Sequence, residues 1–160
     1  MTAMTAKRKI IICISWLLAA ACMAIIFALS AQVADDSSEL SLMVMDGFMS
    51  IFTNLQNAIG HDAFRSIAHA LEYCGLALLL FNAYFQTLQK PKIILSFITA
   101  VIYALTDEIH QIFVEGRAFQ LTDIAVDAAG SALGVAAGFV IYIVINYTIT
   151  HYRGNGLEKE

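Results

Sequence analysis

Ionisable side chains recur at helical spacing inside segments that are otherwise apolar enough to cross a membrane. In one such segment Asp107 lies three residues before His110 and four before Gln111, which places these side chains on one side of a helix. Because a charge in hydrocarbon is costly, residues of this kind usually face a protein interior or a water-filled cavity and take part in function. The pattern therefore predicts a buried polar site. Its ten candidate residues are Arg65, His69, Glu72, Asp107, Glu108, His110, Gln111, Arg117, Asp123 and Asp127.

Three kinds of chemistry are compatible with these residue types. His69 with Glu72, and likewise Asp107 with His110, lie three residues apart and could bind Mg²⁺, Mn²⁺ or Zn²⁺. The metal would support hydrolysis of a phospholipid or a lipid-linked carrier. In that reaction a carboxylate or histidine serves as base, and Arg65 or Arg117 holds phosphate. Alternatively the site only binds a lipid head group, a cell-wall precursor or an amphiphilic drug. A proton or ion path ranks below both, because the inner halves of the predicted helices are nearly uncharged.

A purely structural network of ion pairs is the competing interpretation. Arg65 and Arg117 could neutralise the carboxylates and lock one end of a helical bundle. However, the set contains five acids but only two arginines and two histidines. Even if both histidines were protonated, one negative charge would remain without a positive partner. Some of the acids must then be protonated, hydrated or bound to a cation or ligand. This excess favours a functional site.

Four apolar segments are long enough to hold these residues in a bilayer. A helix crosses the hydrocarbon core with about 20 residues, and the predicted spans are 10–29, 64–86, 93–113 and 124–147. A mean hydropathy of +0.73 and 59% hydrophobic residues over a 160-residue chain also indicate a membrane protein. We expect one domain over residues 1–160. The first span is predicted to be retained, since it is about twice as long as the apolar core of a cleaved signal peptide.

Basic residues predict the orientation of these spans. Seven of the nine Lys and Arg residues precede the first span, link the second and third, or follow the fourth. The positive-inside rule places those regions, and hence both termini, in the cytoplasm. The polar candidates then lie near the outer face, where Ser30 could also reach them or merely cap the first helix. A stripe of apolar residues over about 37–59 predicts an additional amphipathic extracytoplasmic helix, either resting on the membrane or covering the site.

The expected fold is therefore an all-α integral membrane protein, a bundle of four transmembrane helices with one amphipathic helix outside. Gly130, Gly134 and Gly138 recur at every fourth position and predict a face for close helix packing. The three cysteines lack the paired spacing of a zinc knuckle or a disulfide framework. A net charge of −4 and a pI near 5.5 argue against a nucleic-acid partner.

Two sequence blocks resemble the VanZ-like family, which is named for accessory teicoplanin-resistance proteins. One block is FRSIAHALEYCGLALLL at 64–80, and the other is YALTDEIHQIFVEGRAFQLTDIAVDAAGSALG at 103–134. The stretch FALSAQ at 27–32 is similar to the polar end of the family's first span. The similarity covers about residues 16–138. It departs from the family pattern at Ala70, where an aromatic residue is frequent, and at Glu115, where a proline commonly precedes Gly-Arg.

The resemblance implies a multi-pass protein of the bacterial cytoplasmic membrane. The family is associated with lowered susceptibility to teicoplanin-type lipoglycopeptides without remodelling of the peptidoglycan precursor, and it implies no particular reaction. The expected partners are membrane lipids together with a lipid-linked cell-wall precursor or a lipoglycopeptide. A divalent metal is the candidate cofactor of the alternative, enzymatic function.

Overall fold

Helices account for nearly all of the chain that the structure describes. The computed structural model describes residues 5–31 and 60–157. Its helices are α1 (Ala6–Ser30), α2 (His61–Leu88), α3 (Ile93–Gln111) and α4 (Leu121–Leu157). All four are long and apolar enough to cross a membrane, and no strand occurs in these two described ranges. The prediction of an all-helical, multi-pass membrane protein is confirmed.

The helix ends differ from the predicted spans chiefly in α4. Predicted over 124–147, α4 begins at Leu121 and continues to Leu157. Hydropathy detects the part of a helix that suits hydrocarbon, whereas the backbone hydrogen bonds continue into polar sequence. Helix α3 ends at Gln111, and the following turn passes through Gly116 at a φ of 78°, which glycine adopts without strain. The predicted amphipathic helix at 37–59 lies outside the described residues, and the orientation of the bundle stays a prediction.

Helices α2 and α4 form the most extensive contact of the bundle. A Cβ atom added at Gly130 would lie closer than 3.0 Å to the backbone of Ala70, and one added at Gly134 would lie equally close to the backbone of Cys74. The two backbones can approach this closely only because both positions lack a side chain. This contact confirms the predicted glycine packing face and aligns the first half of α4 with α2.

Apolar and small side chains fill the centre of the bundle. Tyr73, Leu76 and Leu80 of α2 are buried, and Ala100 and Ala104 of α3 pack in the same core. The outward faces of the helices expose many leucine, isoleucine and valine side chains. Such surfaces suit helices that are surrounded by lipid. The apolar core therefore holds the four helices in place, and the polar residues gather at one end of it.

Candidate functional site

Polar residues converge at the end of the bundle where α1 and α3 end and where α2 and α4 begin. Six predicted site residues are at most 9% exposed there: His69, Asp107, Glu108, Gln111, Asp123 and Asp127. Buried polar groups destabilise a fold unless they find partners. Their contacts therefore reveal which of them hold the structure together and which remain available for a ligand.

Arg65 has a structural role, because it joins α2 to both α3 and α4. Its Nη2 donates a hydrogen bond to Oδ2 of Asp123 at 2.7 Å and another to Oε1 of Gln111 at 3.3 Å. The side-chain amide of Gln111 in turn donates to Oδ2 of Asp107 at 3.3 Å. Charge-assisted bonds such as the one to Asp123 are among the stronger hydrogen bonds of proteins. Arg65 is thus engaged within the protein and is not the free cation of the site.

His69 forms the second link between α2 and α4. Its Nδ1 lies 3.2 Å from Oδ1 of the fully buried Asp127. An ionised Asp127 accepts a hydrogen bond from Nδ1–H, and this bond fixes the orientation and the tautomer of the ring. Nε2 is then the remaining nitrogen of the ring. His69 also lines a cavity.

That cavity, of about 140 Å³, lies between three helices and the loop that follows α3. Its wall consists of Leu29 and Ser30 of α1, His69 and Glu72 of α2, Asp107 of α3, and Arg117 of the loop. Five of these six side chains are polar. Within the described part of the chain, no hydrogen bond or ion pair joins any two of them. The polar wall is therefore not a closed network of its own.

Several buried polar atoms at this end of the bundle lack a hydrogen-bond partner among residues 5–31 and 60–157. Oδ1 of Asp107 and Oγ of Ser30 are two of them, and both residues line the cavity. Oδ2 of Asp127 and Oε1 of Glu108 are two more. An unsatisfied buried acceptor costs about 1–3 kcal/mol. Acceptors of this kind beside a cavity indicate a site that completes its hydrogen bonds with water or a ligand.

Arg117 supplies the available positive charge of the cavity. It lies on the loop between α3 and α4 and is half-buried. Burial lowers the pKa of its guanidinium, as does the charge of Arg65, while the carboxylates of Asp107, Glu108 and Asp123 oppose that change. The ordinary pKa of a guanidinium is so high that Arg117 stays charged at neutral pH. No described carboxylate lies within ion-pair distance of it.

Six of the ten predicted residues do not line the cavity, and two of these, Glu108 and His110, make contacts that hold neighbouring elements in place. The fully buried Glu108 accepts a hydrogen bond through Oε2 from the backbone nitrogen of Gln120 at 2.8 Å, which fastens the loop just before α4 begins. His110 stacks on the ring of Phe27 in α1, with ring centroids 4.2 Å apart. Glu108 therefore holds the loop that carries Arg117, and His110 packs α3 against α1.

The described residues do not fit the divalent metal centre that the sequence suggested. No group of three or more His, Cys, Asp or Glu side chains within 5–31 and 60–157 is placed to bind an ion. His69 and Glu72 do share the cavity. Asp107 lines the same cavity, whereas His110 stacks on Phe27 and is not part of the cavity wall.

Some residues of this region were not among the ten candidates. Ser30 was predicted either to reach the polar residues or to cap the first helix. It lines the cavity beside them. Tyr73 and Ser131 are fully buried, and their hydroxyls lack a partner in the described structure. Tyr73 follows His69 by four residues, and Ser131 follows Asp127 by four. This helical spacing was the signal in the sequence that could have identified both.

Comparison with known proteins supports the resemblance that the two sequence blocks suggested. The family model described as VanZ/LLP1 matches residues 15–146, which include every residue of the cavity wall. No curated protein and no solved structure matches the chain. Since the family model covers well over half of the sequence, this chain belongs to the VanZ/LLP1 family.

Proposed function

We propose that this protein binds the polar head of an envelope amphiphile in the cavity at the outer end of its bundle. The amphiphile is a membrane lipid, a lipid-linked cell-wall precursor or a lipoglycopeptide. Binding of the latter two would lower susceptibility to teicoplanin. The protein acts in the bacterial cytoplasmic membrane with its termini inside and the cavity outward, as the distribution of basic residues predicts.

The unpaired polar wall of the cavity is the observation that carries this proposal. Asp123 pairs with Arg65, and Asp127 is bonded to His69. This leaves Glu72, Asp107 and Arg117 with no ion-pair partner among the described residues. A network that served stability alone would join these opposite charges to each other. Their separation around a common cavity is what a binding site for a charged head group requires.

The cavity also lies next to apolar surface that suits the chains of an amphiphile. Leu29 borders the cavity and is 42% exposed. Ile25, one turn earlier on α1, is exposed as well. Acyl or prenyl chains can therefore remain in the lipid along α1 while the head group enters between the helices.

The volume of the cavity limits what can enter. At about 140 Å³ it is smaller than the roughly 300–1,000 Å³ of pockets that enclose drug-sized ligands. A small head group fits, whereas the body of a glycopeptide or of a cell-wall precursor would remain outside. For those larger ligands the cavity would hold one polar substituent.

Native mass spectrometry of the protein released from lipid nanodiscs tests the proposal. We expect the wild-type protein to retain an amphiphile that Arg117→Gln and Glu72→Gln proteins lose. Lys90→Gln is the matched control, because Lys90 is exposed at the opposite end of α2. In parallel, expression in a teicoplanin-susceptible host should raise the inhibitory concentration for wild type and control only. Equal retention of the amphiphile by all four proteins would show that the cavity is not the binding site.

The His69–Asp127 pair favours a second function, hydrolysis or transfer on a phospholipid or lipid-linked substrate. A histidine oriented by a carboxylate is a suitable general base, and Arg117 could bind the phosphate. Mass analysis of products from such substrates tests this function, and Asp127→Asn should lower any rate by about 10²–10⁴-fold. Loss of the activity with a chelator and its return with Mg²⁺ would support the metal-dependent form. The absence of any product would leave binding as the function.

A further inference from the structure

We infer that the head group bound in this cavity carries a primary amine and a phosphate, as in an aminoalkyl phospholipid. This inference rests on the proposed binding function and specifies its ligand. It follows from three properties of the wall, namely its hydrogen-bond acceptors, its charges, and the depth at which each of them lies.

The buried part of the cavity wall contains hydrogen-bond acceptors that need a donor from the ligand. Asp107 and Ser30 are 2% and 5% exposed, and each has an oxygen without a partner in the described structure. Glu72 lines the same cavity. A primary ammonium group donates three hydrogen bonds and can satisfy all three side chains. A quaternary ammonium has no N–H group and would leave the acceptors unsatisfied.

The charges of the wall suit a zwitterion better than an anion. Glu72 and Asp107 contribute two carboxylates, against one guanidinium from Arg117. The other cationic side chain of the site, Arg65, is held by Asp123, and His69 is bonded to Asp127. A purely anionic head group would therefore add to an excess of negative charge, whereas an amine compensates it and the attached phosphate binds Arg117.

The acceptors and the guanidinium of the site lie at different depths, in the same order as the amine and the phosphate of such a head group. Asp107 and Ser30 are buried, while Arg117 is half-buried on a loop outside the helices. In an aminoalkyl phospholipid the amine is the tip of the head group, and the phosphate lies between the tip and the chains. The amine therefore enters first and reaches the buried acceptors, and the phosphate stops beside Arg117. The volume of about 140 Å³ matches a small group of this kind.

Titration with three lipids of identical acyl chains tests the inference. The purified protein in detergent is titrated with phosphatidylethanolamine, phosphatidylcholine and phosphatidylglycerol, and binding is followed by native mass spectrometry. We expect phosphatidylethanolamine to bind about tenfold more tightly than the other two, because only its amine donates charge-assisted hydrogen bonds. Glu72→Gln should reduce this preference about tenfold, and Lys90→Gln should leave it unchanged.

Glu72 is the preferred position because it makes no hydrogen bond to another described side chain, so replacing its carboxylate with an amide should disturb folding little. If the Glu72→Gln protein does not unfold at the wild-type temperature, Asp107→Asn takes its place. Equal affinity for phosphatidylethanolamine and phosphatidylcholine would overturn the inference. In that case weaker binding of all three lipids by Arg117→Gln would still support the proposed function, because each lipid carries a phosphate. Binding that neither Arg117→Gln nor Glu72→Gln changes would refute both. Equal affinity for free O-phosphoethanolamine would overturn the assignment to a lipid.

Discussion

Replacing single glycines of α4 with alanine tests how closely α2 and α4 approach. At Gly134 the new Cβ would lie closer than 3.0 Å to the carbonyl oxygen and carbon of Cys74, and at Gly130 it would meet the same atoms of Ala70. Backbone atoms cannot relieve the contact by changing rotamer, as a side chain can. The two helices must therefore separate by about 0.6–0.7 Å before the carbon contacts, 2.8 Å at Gly130 and 2.9 Å at Gly134, return to their ordinary distance of roughly 3.5 Å.

The magnitude follows from two opposing effects. Overpacking of a close contact costs about 1–3 kcal/mol, whereas the higher helix propensity of alanine returns up to about 1 kcal/mol. The net loss in the free energy of unfolding is about 1–2 kcal/mol, or roughly a 5- to 30-fold change in the unfolding equilibrium. Gly130→Ala should also weaken ligand binding. The same separation would lengthen the 3.2 Å contact between His69 and Asp127 beyond hydrogen-bond range.

Unfolding in mixed micelles of detergent and dodecyl sulfate measures these losses. Gly75→Ala in α2 is the matched control, since a Cβ there has no neighbour within 4 Å and should leave stability unchanged or slightly raised. The loss of stability in Gly138→Ala should lie between these values, because the nearest neighbour of the new Cβ is the ring of Phe81, which can shift. If Gly130→Ala and Gly134→Ala unfold like the Gly75→Ala control, the backbones of α2 and α4 do not approach as described.

Three further predictions concern the ends of the helices. Arg65→Gln and Asp123→Asn should each destabilise the protein, with a coupling of about 1 kcal/mol in a double-mutant cycle; additive losses would contradict their 2.7 Å contact. Glu108→Ala should cost about 1–3 kcal/mol, because the loop loses a buried acceptor, and Glu108→Gln should cost clearly less in the same unfolding assay. Equal losses would argue against the bond to the loop. In a cysteine-free background, Glu115→Cys should react with a membrane-impermeant maleimide in intact cells, since this polar position of the loop between α3 and α4 is exposed. Lys90→Cys should react only after permeabilisation, and its labelling in intact cells would reverse the predicted orientation.

The four helices were predictable because hydrocarbon imposes a length and a composition on any segment that crosses it. The same criterion could not locate the end of α4, since its last turns up to Leu157 lie in polar sequence. The close contact of α4 with α2 was also visible, in the four-residue recurrence that begins at Gly130. Helical geometry thus explains which parts of the fold the sequence predicts.

The partners of individual side chains were not predictable in the same way. His110 and Gln111 both lie within one turn of Asp107, yet consecutive residues of a helix point about 100° apart. Gln111 bonds to Asp107 and Arg65, whereas His110 stacks on Phe27 of α1. Spacing along one helix gives the face of a residue, but only the positions of the other helices determine what that face meets.

The unequal lengths of α3 and α4 have a consequence for the surrounding membrane. Helix α3 has 19 residues, about 28 Å, while the apolar part of α4 has 31 residues, about 46 Å. A hydrocarbon layer of about 30 Å matches only the shorter helix. Lipids beside α3 can therefore keep their ordinary thickness, whereas α4 must tilt or extend beyond the hydrocarbon. The cavity lies at the end of α3, so in a bilayer that matches α3 we expect Asp107 to lie near the membrane surface and access to the site to depend on acyl-chain length.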